Sequence, residues 1–275
     1  MIKNIIFSGG GLKGWAYIGT IQALDELDKI YSFRKDIEQV IGVSIGSLFA
    51  LFYVLDIKWN FLLDIVMGLN LKEIFDSEIN DIFSNQSIIA GIKFINIIKE
   101  IISTKIDPYV TFNGLKLYTN VLFTVNALNI NNSKLEYFNS ILTPNIKVID
   151  AVRASAGIPL LFPAYCINGS YYYDGGICNN CPIDTVDELG TMAFDIGYFP
   201  EQNDTSIKLF DLLNALINIC NSEKNENHII FKILDSRFKL ESLNLDQTKD
   251  DIFNIYMIGY INSKKHIYDN FFAIK

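Results

Sequence analysis

The chain has 275 residues, half of them hydrophobic, and 31 Asp and Glu against 23 Lys and Arg give a formal charge of −8. A chain of this length can bury a sizeable core, and the lack of a long Pro, Gly or Ser linker predicts one domain, with or without insertions. The acidic balance argues against general affinity for nucleic acid or anionic lipid, so any contact with lipid is expected to be mainly apolar.

The opening MIKNIIFSGGG enters a strand pattern directly, and no signal peptide is expected. Val40 to Ile57 is strongly apolar, but Ser44, Ser47 and the flanking glycines suit a turn entering a buried helix better than a membrane span. Of Cys166, Cys178, Cys181 and Cys220, only Cys178 and Cys181 have CxxC spacing. With no second pair, and with His228 and His266 distant in sequence, free thiols in a reducing compartment are favoured over zinc, with disulfides left open.

In chain order, Lys3 to Ser8 reads as a buried strand, Gly9 to Gly14 as a turn, and Trp15 to Leu27 as a helix. Ile37 to Ile41 repeats the pattern: strand, turn, then helix. Residues 62–103 place apolar side chains at helical spacing, as helices covering the sheet or as an insertion or lid near 60–105. Strands are expected at Thr119 to Leu128, Lys134 to Phe138, Tyr171 to Tyr173, Met192 to Ile196 and Ile229 to Leu234. Helices are expected at Lys147 to Arg153, Ile207 to Ile219 and Gln247 to Lys264. This order predicts an α/β layered fold with a largely parallel or mixed sheet and function at the strand C-terminal ends.

Gly9, Gly11 and Gly14 satisfy G-x-G-x-x-G, which raises a dinucleotide site, but the region some 20 residues on reads LDELDKIYSFRKD and lacks a strand ending in an acidic residue. Trp15 after Gly14 excludes a phosphate-binding Walker loop. The same glycines suit acyl transfer, because residues without Cβ can aim several N–H groups at a developing oxyanion, with Gly10 and Gly11 the preferred donors. Lys13 reads as a surface lysine of the first helical turn, or as positive charge beside that loop.

Gly42-Val43-Ser44-Ile45-Gly46 is a nucleophile-elbow pattern, in which small flanking residues permit a tight strand-to-helix turn and present the serine hydroxyl. Ser44 then needs a base. His228 and His266 are the only histidines, and each reads more simply as a surface or structural residue. A carboxylate is the alternative. Asp174 leads modestly, because an aromatic run ends there and Gly175-Gly176 permits a sharp turn. Its simpler reading is an Asp-Gly turn, and Asp56, Asp150, Asp184 and Asp195 read as caps or satisfied turn residues.

Four ordered blocks, GGGLKG, GVSIG, ASAGIPLLFP (Ala154 to Pro163) and DGGICNNCP, together resemble the patatin-like phospholipase family across residues 9 to 182. The resemblance implies a three-layer fold around a mixed, largely parallel sheet and a Ser44-Asp174 dyad without a catalytic histidine. It also implies an oxyanion loop of Gly9, Gly10, Gly11, Lys13 and Gly14, an elbow framed by Gly42 and Gly46, and a supporting turn at Gly175 and Gly176. Lys13 departs from the arginine of many members.

The activity so implied is release of fatty acids from phospholipids or related acyl lipids through an acyl-serine, with no metal and no cofactor. Phospholipid and a peripheral membrane surface are the implied partners, nucleic acid is not, and an activating protein partner stays open, as does oligomeric state. Cytoplasmic residence is expected, with secretion lacking a cleaved signal left open. The competing readings are a soluble carboxylesterase or lysophospholipase, and a catalytically silent lipid-binding protein.

Overall fold

A computed structural model describes residues 2–74, 91–187, 190–196, 230–234 and 246–274. Its strands are β1 (Asn4–Phe7), β2 (Gln39–Gly42), β3 (Leu122–Asn129), β4 (Lys134–Phe138), β5 (Tyr165–Ile167), β6 (Ser170–Asp174), β7 (Thr191–Asp195) and β8 (Ile230–Lys232). The helices are α1 (Ala16–Tyr31), α2 (Ile45–Val54), α3 (Trp59–Gly68), α4 (Leu71–Ile74), α5 (Ile92–Ser103), α6 (Phe112–Thr119), α7 (Val148–Ser155) and α8 (Lys249–Ile274).

The runs NIIF and TMAF are buried almost throughout, as expected of central strands covered on both faces. They form one mixed sheet in the order β5-β6-β3-β2-β1-β7-β8, with β4 also paired to β3. From β8 through β7, β1 and β2 to β3 every pairing is parallel, and the β3–β4, β3–β6 and β5–β6 pairings are antiparallel. Alternation divides the side chains between two faces. Ile5, Phe7 and Val40 join the large core with α1 and α2, while Ile6, Ile41 and Ala193 meet Cys181 and Ile183. The sheet is therefore mixed, largely parallel and flanked by helices.

The position of the site follows from how β3 is shared. On one edge β4 pairs with Val125 to Asn129. On the other, β2 pairs with Leu122 to Val125 and β6 with Ala127 to Asn129. Running in opposite directions, β2 ends at Gly42 opposite Val125 and β6 ends at Asp174 opposite Ala127. The two chain ends meet head to head.

Several boundaries differ from expectation. The first helix is preceded by a 3-10 turn, Gly11–Trp15, which puts Lys13 inside the turn, and Lys13 is buried rather than at the surface. The strand expected from Thr119 starts at Leu122, because Phe112–Thr119 is a helix closed by Asn120 in the left-handed region at φ 58°. The last helix runs past Lys264 to Ile274. In the helical region, α3, α4 and α5 are present, and residues 75–90 lie outside the described residues. The expected helix at Ile207 to Ile219, Cys220 and His228 also lie outside them. Among the described residues no helix is long and apolar enough to cross a membrane.

Candidate active site

Ser44 stands between the end of β2 and the start of α2 with φ 53° and ψ −131°. A left-handed φ at a residue bearing Cβ costs on the order of 1–3 kcal/mol and persists only where its surroundings enforce it. Here they do. The Ser44 N–H donates to Ser155 Oγ at 2.8 Å, and the Ser44 carbonyl accepts from Ser47 Oγ at 2.6 Å and Ser47 N at 2.9 Å. The flanking glycines allow the close packing: a Cβ on Gly42 would lie 2.3 Å from Ser47 Cα, and one on Gly46 2.3 Å from the Ser8 carbonyl oxygen.

The turn aims the Ser44 hydroxyl at Asp174. Ser44 Oγ donates to Asp174 Oδ2 at 2.5 Å, across a sequence separation of 130 residues. The other carboxyl oxygen, Oδ1, accepts the Gly176 N–H at 2.7 Å, and the Asp174 N–H donates to the Gly157 carbonyl at 2.9 Å. Both oxygens are thereby oriented, one by backbone and one by the serine. Ser44 is 5% and Asp174 6% exposed. Burial pushes the Asp174 carboxyl up to about 7, against the opposing pull of the hydrogen bonds from Ser44 and Gly176.

Gly9 is buried against Ser44, and a Cβ there would lie 2.9 Å from Ser44 Cβ. Gly10 and Gly11 are half-exposed at the opening of the 3-10 turn, where the first N–H groups of a helix have no acceptor within it. Lys13 and Gly14 continue the turn inward, and a Cβ on Gly14 would lie 2.4 Å from Ile45 Cγ1. Gly175 and Gly176 are buried in the turn that follows Asp174. The dinucleotide reading fails at β2, which ends in Gly42 and the serine turn with no acidic residue at its tip.

Other candidates are engaged elsewhere. His266 Nε2 lies 3.2 Å from the Lys232 carbonyl, and its ring stacks on Phe231 at the β8 edge, with β7 and β1 between it and β2. Asp56 pairs with Arg34 and Lys58. Asp150 accepts from Tyr165 at 2.8 Å, Asp184 from Asn179 at 2.9 Å and Asp195 from Ser8 at 2.7 Å. Cys166, exposed, and Cys181, buried, are free thiols. Among the described residues no three His, Cys, Asp or Glu side chains are grouped to hold a metal ion.

Two residues at the site were not singled out from the sequence. Ser155 lies within the ASAGIPLLFP block, and Asn180 within DGGICNNCP, with its side-chain amide on the Gly9 backbone. Beside the elbow is a cavity whose lining is wholly apolar and includes Trp15, Leu48, Phe52, Leu62, Val66 and Ile98. Leu48 lies one helical turn beyond Ser44 on α2.

Fold and site together define an α/β protein with a backbone-strained serine paired to a buried carboxylate. The family model for patatin-like phospholipase matches residues 5–187, and the chain belongs to that family. It is 27% identical over 194 residues to a protein of Invertebrate iridescent virus 6 named "Probable lipid hydrolase 463L", covering 66% of this chain and 62% of that one. It is 28% identical over 205 residues to "Lysophospholipase nte1" of Aspergillus niger, covering 70% of this chain and 12% of that one. The chain thus spans less than two thirds of the length of these curated relatives. Among solved structures, VipD from Legionella pneumophila superimposes with a TM-score of 0.69 at 17% identity, over 98% of this chain and 67% of that one. The type III effector protein ExoU gives a TM-score of 0.55 at 17% identity, over 98% and 53%. These likenesses agree with the fold described.

Proposed function

We propose that this protein is a serine acyl hydrolase acting on acyl lipids, with Ser44 as nucleophile and Asp174 as its sole proton acceptor. The observation that carries the reading is the buried 2.5 Å hydrogen bond from Ser44 Oγ to Asp174 Oδ2 at a strained strand-to-helix turn. Membership of the patatin-like phospholipase family and the names of the two curated relatives support the substrate class.

In the first step Ser44 Oγ bonds to the ester carbonyl carbon as its proton passes to Asp174 Oδ2. The carbonyl oxygen becomes an oxyanion facing the N–H groups of Gly10 and Gly11. The bond to the leaving oxygen then breaks, and Asp174 returns the proton to that alkoxide, which departs as an alcohol or lysolipid. Water attacks the resulting acyl-serine, again losing a proton to Asp174. Collapse releases the fatty acid and returns the proton to Ser44. A carboxyl raised to about 7 suits both roles, since it gains and returns a proton near neutral pH at little cost.

The apolar cavity beside α2 is the proposed entry point of the acyl chain, because Leu48 in its lining stands one helical turn from the nucleophile and no polar group lines it; at about 30 Å³ it must widen, by movement of its apolar lining, to admit a chain. On this reading one catalytic domain spans the chain, α3 to α5 flank the acyl site, and the protein meets its substrate as a peripheral protein at the lipid surface.

Mass spectrometry of products from mixed phospholipid vesicles and from soluble acyl esters, without added calcium, tests the proposal. Fatty acid released from vesicles by wild type and not by Ser44→Ala is the expected result. Cleavage confined to soluble esters would make the protein a carboxylesterase, and equal release by Ser44→Ala would overturn the mechanism.

A further inference from the structure

Asn180 sits where two loops approach each other. Its Oδ1 accepts the Gly9 N–H at 3.2 Å, and its Nδ2 donates to the Gly9 carbonyl at 3.3 Å, so one amide side chain reads both polar groups of one residue. Only this orientation of the amide sets donor against acceptor at both contacts. A second backbone contact, Gly9 N to the Asn180 carbonyl at 3.4 Å, joins the same two residues.

The amide also accounts for two of the glycines. A Cβ on Gly9 would lie 2.4 Å from Asn180 Oδ1, and a Cβ on Gly176 would lie 2.7 Å from that same atom. Gly9 belongs to the loop proposed to receive the oxyanion, whereas Gly176 donates to the Asp174 carboxylate. Asn180 Oδ1 therefore occupies the space that both loops leave by lacking side chains. The oxyanion loop and the base loop are set against each other through one atom.

We infer that Asn180 is a positioning residue for acyl transfer, holding the glycine loop in register with the Ser44-Asp174 pair so that the Gly10 and Gly11 N–H groups meet the developing oxyanion. The inference rests on the hydrolase reading above. In this role Asn180 is not itself a reacting group. It acts through the Gly9 peptide, and its contribution falls on the transition state rather than on ground-state binding.

The test is Asn180→Asp, which keeps size and shape and can still accept the Gly9 N–H, but sets a carboxylate oxygen against the Gly9 carbonyl. With a soluble acyl ester as probe, kcat should fall about 100-fold, the scale of losing an oxyanion donor, while KM stays within about threefold. Inactivation by an alkyl fluorophosphonate, whose phosphoryl oxygen occupies the oxyanion position, should slow in parallel. A role confined to stability would lower the unfolding temperature and leave kcat of the folded enzyme intact, which would overturn the inference. Should Asn180→Asp fail to fold, Asn180→Ala replaces it with the same expected split, since it removes the amide without adding charge. Ser44→Ala separates the levels. If that variant is dead and the Asn180 variants turn over at the wild-type rate, the inference fails alone; if Ser44→Ala turns over, the hydrolase reading fails and takes this inference with it.

Discussion

Ser155 Oγ accepts the backbone N–H of Ser44 at 2.8 Å, and both residues are buried. The pairing ties α7 to the strained turn and satisfies an N–H that, at the N-cap of α2, has no acceptor within the helix. Ser155→Ala leaves that N–H buried and unsatisfied, a loss of about 1–3 kcal/mol. Urea unfolding should show it as a lower midpoint at unchanged slope, and kcat should fall because Ser44 relaxes from its strained geometry.

Activity should follow the ionisation of Asp174. The base must be charged to accept the serine proton, so kcat/KM is expected to rise with pH through about 7 and then level off, with no histidine contributing. A pH–rate profile on a soluble ester checks this, and a plateau reached by pH 5 would contradict it.

Stability should run in the opposite sense. The folded Asp174 pKa, about 7, lies above the value near 4 expected of an unfolded aspartate, so between those values the native state binds more protons than the unfolded one. The stabilisation is complete below about pH 4 and is lost as pH rises to about 7, an effect on the order of 4 kcal/mol. Asp174→Asn removes the titration. Its unfolding free energy should be flatter over that window while its turnover is abolished, as measured by denaturant unfolding across pH.

Gly46→Ala should be among the most damaging single-methyl changes. Its Cβ would stand 2.3 Å from the Ser8 carbonyl oxygen and 2.4 Å from that of Phe7, both backbone atoms at the end of β1. Relief requires α2 to move, and Ser44 with it. A loss of several kcal/mol in unfolding free energy, together with loss of turnover, is the expected outcome.

The acyl-site proposal predicts a chain-length shift. Val66→Trp adds bulk to the cavity wall and should lower kcat/KM for long-chain esters by about tenfold while sparing butyryl esters, at about 1–3 kcal/mol of overpacking. A uniform loss across chain lengths would place the acyl chain elsewhere.

The elbow was legible in the sequence because its signal is local: an apolar strand, small residues around Ser44, then an apolar helix. The meeting of Ser44 with Asp174 was not. It depends on β2 and β6 sharing one edge of β3 in opposite directions, a pairing that no spacing encodes, so the residues alone ranked Asp174 only modestly above other aspartates. The family resemblance supplied the partner. The short β5 escaped notice, although Asn168-Gly169, at φ 49° and 85°, is a strong hairpin signal joining it to β6. Lys13 was misplaced because the glycine loop closes into a 3-10 turn and draws the side chain inward before α1 begins. Ser155 and Asn180 went unread because small polar residues are common in loops, and only the fold brings them to Ser44 and Gly9.

The central claim is a covalent acyl-serine at Ser44 formed with the help of Asp174. Peptide-mapping mass spectrometry after rapid acid quench of wild type with a long-chain acyl ester tests it most directly, beside Ser44→Ala and Asp174→Asn. An acyl adduct on the Ser44 peptide of wild type, absent from Ser44→Ala and far slower to form in Asp174→Asn, is the predicted result. Turnover by Ser44→Ala, or an adduct that forms on another residue during turnover, would contradict the account.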